Sequence, residues 1–237
     1  MGKITSPPGW QQLPLDIGLA KQPSFDNYIA GRNRLHVLQL QAWCAGTSEP
    51  VILLLGSRGE GVSHLLQSCY HVLEQGQQPV VYLSLAHDSL EPEQLVELAV
   101  FDYLCLDDLQ AVMGDPVWER ELFHLFNLVR AQNSRLLLGG KEALADMPLN
   151  LPDLKSRLSW GLTLVLQPLS DQQKVSALQT HASERGLELS HDLALYILHR
   201  SGRSLGELMV VLDQLDQASM RTKRRLTLSF VRQEMGW

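Results

Sequence analysis

Basic charge is in the minority in this sequence. Lys and Arg number 20 against 26 Asp and Glu, a net charge of −6. That balance excludes a protein that coats nucleic acid through bulk positive surface, though not a local basic patch. Cysteine is scarce as well. Cys44, Cys69 and Cys105 are odd in number and widely spaced, with no CxxC pair. They read as small buried hydrophobes in a reducing compartment, not as a disulfide framework. The eight histidines include no HExxH, so no zinc site is expected. No apolar run approaches ~18 residues, which excludes a transmembrane helix. The opening MGKITSPPGW has no apolar signal core, and a cytoplasmic location is expected. What is present is a globular composition: 45% apolar and 19% charged over 237 residues, enough for one large domain or two small ones.

One stretch organises the chain. Val51 to Leu55 is an apolar run that passes into a loop holding Gly56, Gly59 and Gly61, after which Leu65 and Leu66 resume the apolar pattern. A buried strand, a glycine-rich turn and a helix start follow from that order. Backbone N–H groups and the positive end of a helix dipole converge at such a turn, which makes it an anion site. Ser63 falls where a P-loop carries its magnesium-binding hydroxyl, but Val62 stands in the slot of the P-loop lysine. The loop has the shape of a phosphate cradle without its usual point charge. An ordinary glycine-rich turn is the alternative.

Residues 1–24 read as an extended arm, because Pro7, Pro8, Pro14 and Pro23 forbid a continuous helix. Gln12, Leu13 and Leu15 in this arm form a short segment suited either to a partner's hydrophobic pocket or to packing on the chain's own surface. A turn at Phe25 to Ile29 precedes a helix over 34–44. Further strands are expected over 79–85, 100–106, 135–138 and 162–166, with helices over 62–75, 90–98 and 115–131 between them. This alternation predicts an α/β fold with a parallel sheet covered on both faces. Ligands of such sheets sit beyond the carboxyl ends of the strands. Asp107 and Asp108 close the third strand there, where a carboxylate can hold Mg²⁺ and its neighbour can orient a water. After Pro168 the pattern turns all-helical, with a cap at Ser170 and Gln173. Three parts are therefore expected: an arm over 1–24, a nucleotide-binding domain over 25–167 and a small helical domain over 168–237.

Several segments together resemble the DnaA-like AAA+ family, and within it the short Hda-type regulators of replication initiation. They are Phe25-Asp26-Asn27-Tyr28, GSRGEGVSHLL, LCLDDLQ, ELFHLFNLV around Phe123 and Asn127, LPDLKSRLSWG with Arg157, and LDQLDQAS, in that order. The chain is too short for DnaA's additional N-terminal and DNA-binding domains, which favours the short type. The resemblance implies an AAA+ fold with a five-stranded P-loop sheet and a helical lid. It also implies a negative regulator that is tethered to the DNA polymerase III sliding clamp (beta subunit), holds a nucleoside diphosphate (ADP by family expectation), and stimulates ATP hydrolysis by DnaA. DNA would be met only through the clamp, and a homo-oligomer stays open. Carried over by position, Gln12, Leu13 and Leu15 would contact the clamp. Tyr28 and Ile29 would lie near the base. Gly59, Gly61, Val62 and Ser63 would wrap the phosphates by backbone N–H, and Gly56, Glu60 and His64 would belong to the same nucleotide site, His64 reading from the residues as packing on the sheet or capping the loop. Ser63 and Asp107 would flank Mg²⁺, with Asp108 beside them, and Arg157 would be the arginine finger in trans. A planar cation delivered from a neighbour stabilises charge on a transferring phosphoryl group.

The pattern departs from the family at three places. Val62 replaces the loop lysine, Gly140-Lys141 occupy the end of the fourth strand, and Gly206 aligns with a lid arginine for which Arg203 could substitute. Weak or absent intrinsic ATP hydrolysis is expected; an ATPase or DNA-loading factor using its own site is the alternative. From the residues alone, an ion pair with Asp153 would account for Arg157. Trp118 and Trp160 read as packing residues, and Arg221, Lys223, Arg224 and Arg225 as a solvated turn.

Overall fold

Side chains along a strand alternate between the two faces of its sheet. In β1 (Val51–Leu55), Val51, Leu53 and Leu55 join one apolar cluster, while Ile52 and Leu54 join another. Both faces are therefore covered, as an unbroken apolar run requires. The computed structural model describes residues 22–141, 146–202 and 204–237. The clamp-contact residues Gln12, Leu13 and Leu15, and Arg203 in the lid, lie outside the described residues.

The other strands are β2 (Val80–Ser84), β3 (Tyr103–Asp107), β4 (Arg135–Gly140) and β5 (Leu162–Val165). All pairs are parallel, in the order β2-β3-β4-β1-β5. One face packs on α1 (Arg34–Cys44) and α2 (Val62–Gln75) through Leu40, Trp43, Leu65, Leu66 and Leu73. The other packs on a 3₁₀ helix (Pro92–Val100), α3 (Pro116–Gln132) and α4 (Pro152–Leu158) through Leu95, Leu125, Phe126, Leu154 and Leu158. Truncating a fully buried leucine such as Leu53 or Leu54 to alanine costs about 2–5 kcal/mol.

The boundaries depart from expectation in two places. The segment expected as a helix over 90–98 is a 3₁₀ helix, closed by the Phe101 N–H on the Leu98 carbonyl at 3.1 Å. That closure delays β3 to Tyr103. The seven-residue α4, with Pro152 in its first turn, has no counterpart in the sequence reading.

The C-terminal lid comprises α5 (Asp171–Glu184), α6 (His191–Arg200), α7 (Leu205–Thr222) and α8 (Leu228–Met235). It has its own core, including Leu178, Ile197, Leu208, Leu212, Leu215 and Phe230. The expected capping box of Ser170 and Gln173 starts α5. Between β5 and the lid, buried Asn33 grips the chain. Its Nδ2 donates to the Gln167 carbonyl at 2.9 Å, and its Oδ1 accepts the Gln167 N–H at 2.8 Å. Cys69 and Cys105 are buried, Cys44 is half-buried, and all are free. Among the described residues no helix is long and apolar enough to cross a membrane.

Candidate nucleotide site

The loop after β1 begins at the sheet. The Gly56 N–H donates to the Gly140 carbonyl of β4 at 3.1 Å, which fixes the loop against the neighbouring strand end. Gly61 has φ of +97°, and a Cβ there would stand 2.6 Å from the Tyr28 ring. Glycine is thus required twice at this position, by conformation and by close approach. The next residue, Val62, opens α2, whose first-turn N–H groups and dipole face the loop.

The cradle already engages an anion of its own. Glu60 folds back so that its carboxylate accepts the Ser57 N–H at 2.7 Å. An oxygen acceptor in this position is what a phosphate oxygen would also supply, so the loop fits a phosphate in shape and polarity. Tyr28 covers the loop and donates its hydroxyl to the Glu60 carbonyl at 3.3 Å; burial pushes its pKa up. Ile29 follows, half-buried. His64 fastens the aromatic turn to α2. Its Nε2 is 3.0 Å from the Ser24 carbonyl oxygen, its ring centroid lies 5.5 Å from that of Tyr28, and burial lowers its pKa. The lid closes the other side: a Cβ at Gly59 would come 2.4 Å from the Cβ of Ser204, the cap of α7.

Asp107 and Asp108 reach this edge from β3 but do different things. Asp107 is buried; its Oδ2 accepts the Tyr82 hydroxyl at 3.0 Å and its Oδ1 the Asp108 N–H at 2.8 Å. Asp107 raises the Tyr82 pKa together with burial, which is the larger cause. Gly139 of β4 lies against it, since a Cβ there would meet Asp107 Oδ1 at 2.7 Å. Ser63 is half-buried at the start of α2. Among the described residues no cluster of His, Cys, Asp or Glu could hold a metal by itself, so Mg²⁺ would need ligand oxygens from a nucleotide.

Asp108 adopts a left-handed backbone with φ of +57°. Its carboxylate is engaged on all sides: Lys141 Nζ at 2.5 Å and Gln110 Nε2 at 3.1 Å donate to Oδ1, and the Ser84 hydroxyl donates to Oδ2 at 2.8 Å. Burial raises its pKa, but these bonds and the Lys141 charge outweigh burial, and the net shift is downward. A carboxylate tied in this way is a poor water-orienting group. Lys141 was read from the sequence only as a departure; its pairing with Asp108, across 33 residues, has no local signal.

Arg157 sits apart from the loop. It projects from α4, whose Leu154 and Leu158 pack on the sheet face opposite α2. Its guanidinium carbon lies 4.3 Å from the Trp160 ring centroid and 5.9 Å from that of Phe123. Arg130 covers Trp160 as well, at 5.3 Å. Trp160 is 61% exposed, which corrects its reading as a packing residue; its ring contacts the two guanidiniums. Trp118 does pack against the core. Among the described residues no ion pair joins Arg157 to Asp153. Sequence reasoning also missed Glu119. Fully buried, it accepts the N–H groups of Gly114, Asn150 and Leu151 at 2.9, 3.0 and 2.7 Å, anchoring the entry to α4.

Comparison with known proteins adds the family. Residues 19–165 match the bacterial DnaA ATPase domain model, and residues 171–235 match the Hda lid domain model. A protein of Haemophilus influenzae is 34% identical over 94% of this chain and 97% of its own length. Domain III of the Thermotoga maritima replication initiation protein DnaA superposes with a TM-score of 0.79 at 19% identity, covering 92% of this chain and 97% of that one. AMPPCP-bound DnaA from Aquifex aeolicus gives 0.71 at 21% identity, over 87% of this chain and 69% of that one. The Thermotoga maritima RuvB branch migration motor gives 0.69 at 17% identity, over 90% and 71%. At these identities the superpositions establish the fold.

Proposed function

Because this chain belongs to the bacterial DnaA ATPase-domain family and carries an Hda-type lid, we propose that it is a negative regulator of replication initiation that completes DnaA's ATPase site with Arg157. The observation carrying this reading is the position of Arg157. It is half-exposed, stacked on aromatic rings, and on the sheet face opposite the helix that receives its own nucleotide loop. A cation presented outward is suited to another molecule's triphosphate, where it would stabilise the charge of the transferring phosphoryl group.

The chain's own loop serves as a holder. Gly56, Gly59, Gly61 and the first turn of α2 receive a nucleoside diphosphate, with ADP the family expectation. Tyr28 and Ile29 flank the base. Mg²⁺, when it accompanies the nucleotide, would be held by Ser63 and Asp107 together with phosphate oxygens. Val62 in place of the loop lysine weakens hydrolysis here. A bound diphosphate stabilises the folded state by mass action and sets the angle between sheet and lid. The arm residues Gln12, Leu13 and Leu15 tether the chain to the sliding clamp, which brings it to DnaA on DNA.

ATP turnover by the purified chain, measured alone and then with DnaA and clamp-loaded DNA, tests this function. Negligible turnover alone and accelerated hydrolysis by DnaA are expected. Substantial turnover by the chain alone overturns the reading in favour of an ATPase with its own working site.

A further inference from the structure

The loop has lost its lysine, yet a cation stands at the same edge of the sheet. The lysine slot on α2 is closed: Val62 is buried in the core with Leu66, and its Cγ1 is 3.0 Å from where a Cβ on Gly139 would sit. Lys141 is the first residue beyond β4, one residue past the carbonyl that accepts the Gly56 N–H at 3.1 Å. Its own N–H donates to Gln110 Oε1 at 2.9 Å, which steers the chain towards β3. Its ammonium reaches Asp108 at 2.5 Å. The cation therefore lies where the carboxyl ends of β1, β4 and β3 converge, the edge at which such sheets hold anions.

We infer that Lys141 is the phosphate-binding lysine of this chain, leaving Asp108 for the terminal phosphate when a nucleotide enters the loop. The inference rests on the reading that the loop holds a nucleotide. Two observations support the exchange, and a charge argument joins them. The Lys141 side chain is 47% exposed, so its stem is free to turn. Asp108 loses one partner but keeps the Ser84 hydroxyl and the Gln110 amide, so its carboxylate is not orphaned. An ammonium exchanged from one anion to another would stay paired, which avoids stranding a desolvated charge. Arg58 in the loop, a second cation among the described residues, is exposed and acts on Glu207 of the lid.

Calorimetric titration of the full-length protein with ADP, run both in EDTA and with Mg²⁺, tests this. Wild type is expected to bind. Lys141→Met should weaken ADP by about 10- to 100-fold, the loss of one charge-assisted contact, with an unchanged far-ultraviolet circular dichroism spectrum at the titration temperature. Lys141→Arg should retain most of the affinity. Asp108→Asn should tighten ADP when Lys141 is present and have a smaller effect in the Lys141→Met background. Wild-type affinity in Lys141→Met overturns the inference. So does loss of binding in Arg58→Met with Lys141→Met unaffected, because the cation would then belong to the loop. Absence of ADP binding by the wild type is a different result, and it removes the nucleotide reading itself.

Discussion

The guanidinium of Arg157 lies 4.3 Å from the ring of Trp160, and the indole is held on its other contact by Arg130 at 5.3 Å. An exposed tryptophan in contact with two arginines restricts the rotamers that a long side chain samples in water. On the proposed function, Trp160 is therefore a positioning residue for Arg157. Trp160→Ala should lower the maximal DnaA-stimulating rate by about 2- to 5-fold, the value of an exposed cation–π contact. Trp160→Phe should recover most of it. The concentration for half-maximal stimulation should change little, which separates loss of orientation from loss of docking.

Glu119 supports the same helix from inside. Its carboxylate takes the N–H groups that lead into α4, including Leu151 at 2.7 Å. Glu119→Ala leaves those buried donors unpaired and should cost about 3 kcal/mol in urea unfolding. Stimulation of DnaA should fall in parallel under conditions where the variant remains folded, because α4 carries Arg157. A loss below about 0.5 kcal/mol, the range of ordinary surface substitutions, would contradict this role.

The Asp108–Lys141 pair has a pH signature. The folded carboxyl titrates below its ordinary value. It binds fewer protons folded than unfolded in that window, so its contribution is present above the usual carboxylate range and is lost as pH falls through the depressed value. Denaturation between about pH 3 and pH 6, bracketing the ordinary carboxylate pKa, should show a shallower acid limb in Asp108→Asn than in wild type. Parallel limbs would show that the pair contributes no linkage.

The arm can be tested separately from the fold. Removing residues 10–17 should abolish capture by immobilised sliding clamp while leaving ADP affinity and the melting temperature unchanged. Retained capture would move the clamp contact elsewhere on the chain.

Much of the architecture was legible because it is local. The five-residue run Val51–Leu55, the glycines after it and the Ser170–Gln173 box are short-range patterns with direct physical causes. The strand ends at Asp107 and Gly140 followed from apolar runs to within two residues. The short helix expected over 90–98 is present as a 3₁₀ helix over Pro92–Val100, because Pro92 and the acidic first turn announce a helix start without distinguishing 3₁₀ from α geometry. Lys141 with Asp108, and Glu119 with Asn150 and Leu151, were invisible because partners about thirty residues apart leave no periodic trace. Trp160 was misjudged because burial was inferred from residue type, whereas its ring is exposed and contacts Arg130 and Arg157.

The most direct test of the account is single-turnover hydrolysis of DnaA-bound ATP on clamp-loaded DNA, with wild-type protein or Arg157→Ala. The account predicts that the variant binds clamp and ADP as wild type does while DnaA hydrolyses ATP at its unstimulated rate. Fingers supplied in trans are worth about 10³–10⁵ in rate for GTPases, so the loss should be unmistakable. Stimulation by Arg157→Ala within about 3-fold of wild type, well inside that range, would contradict the account.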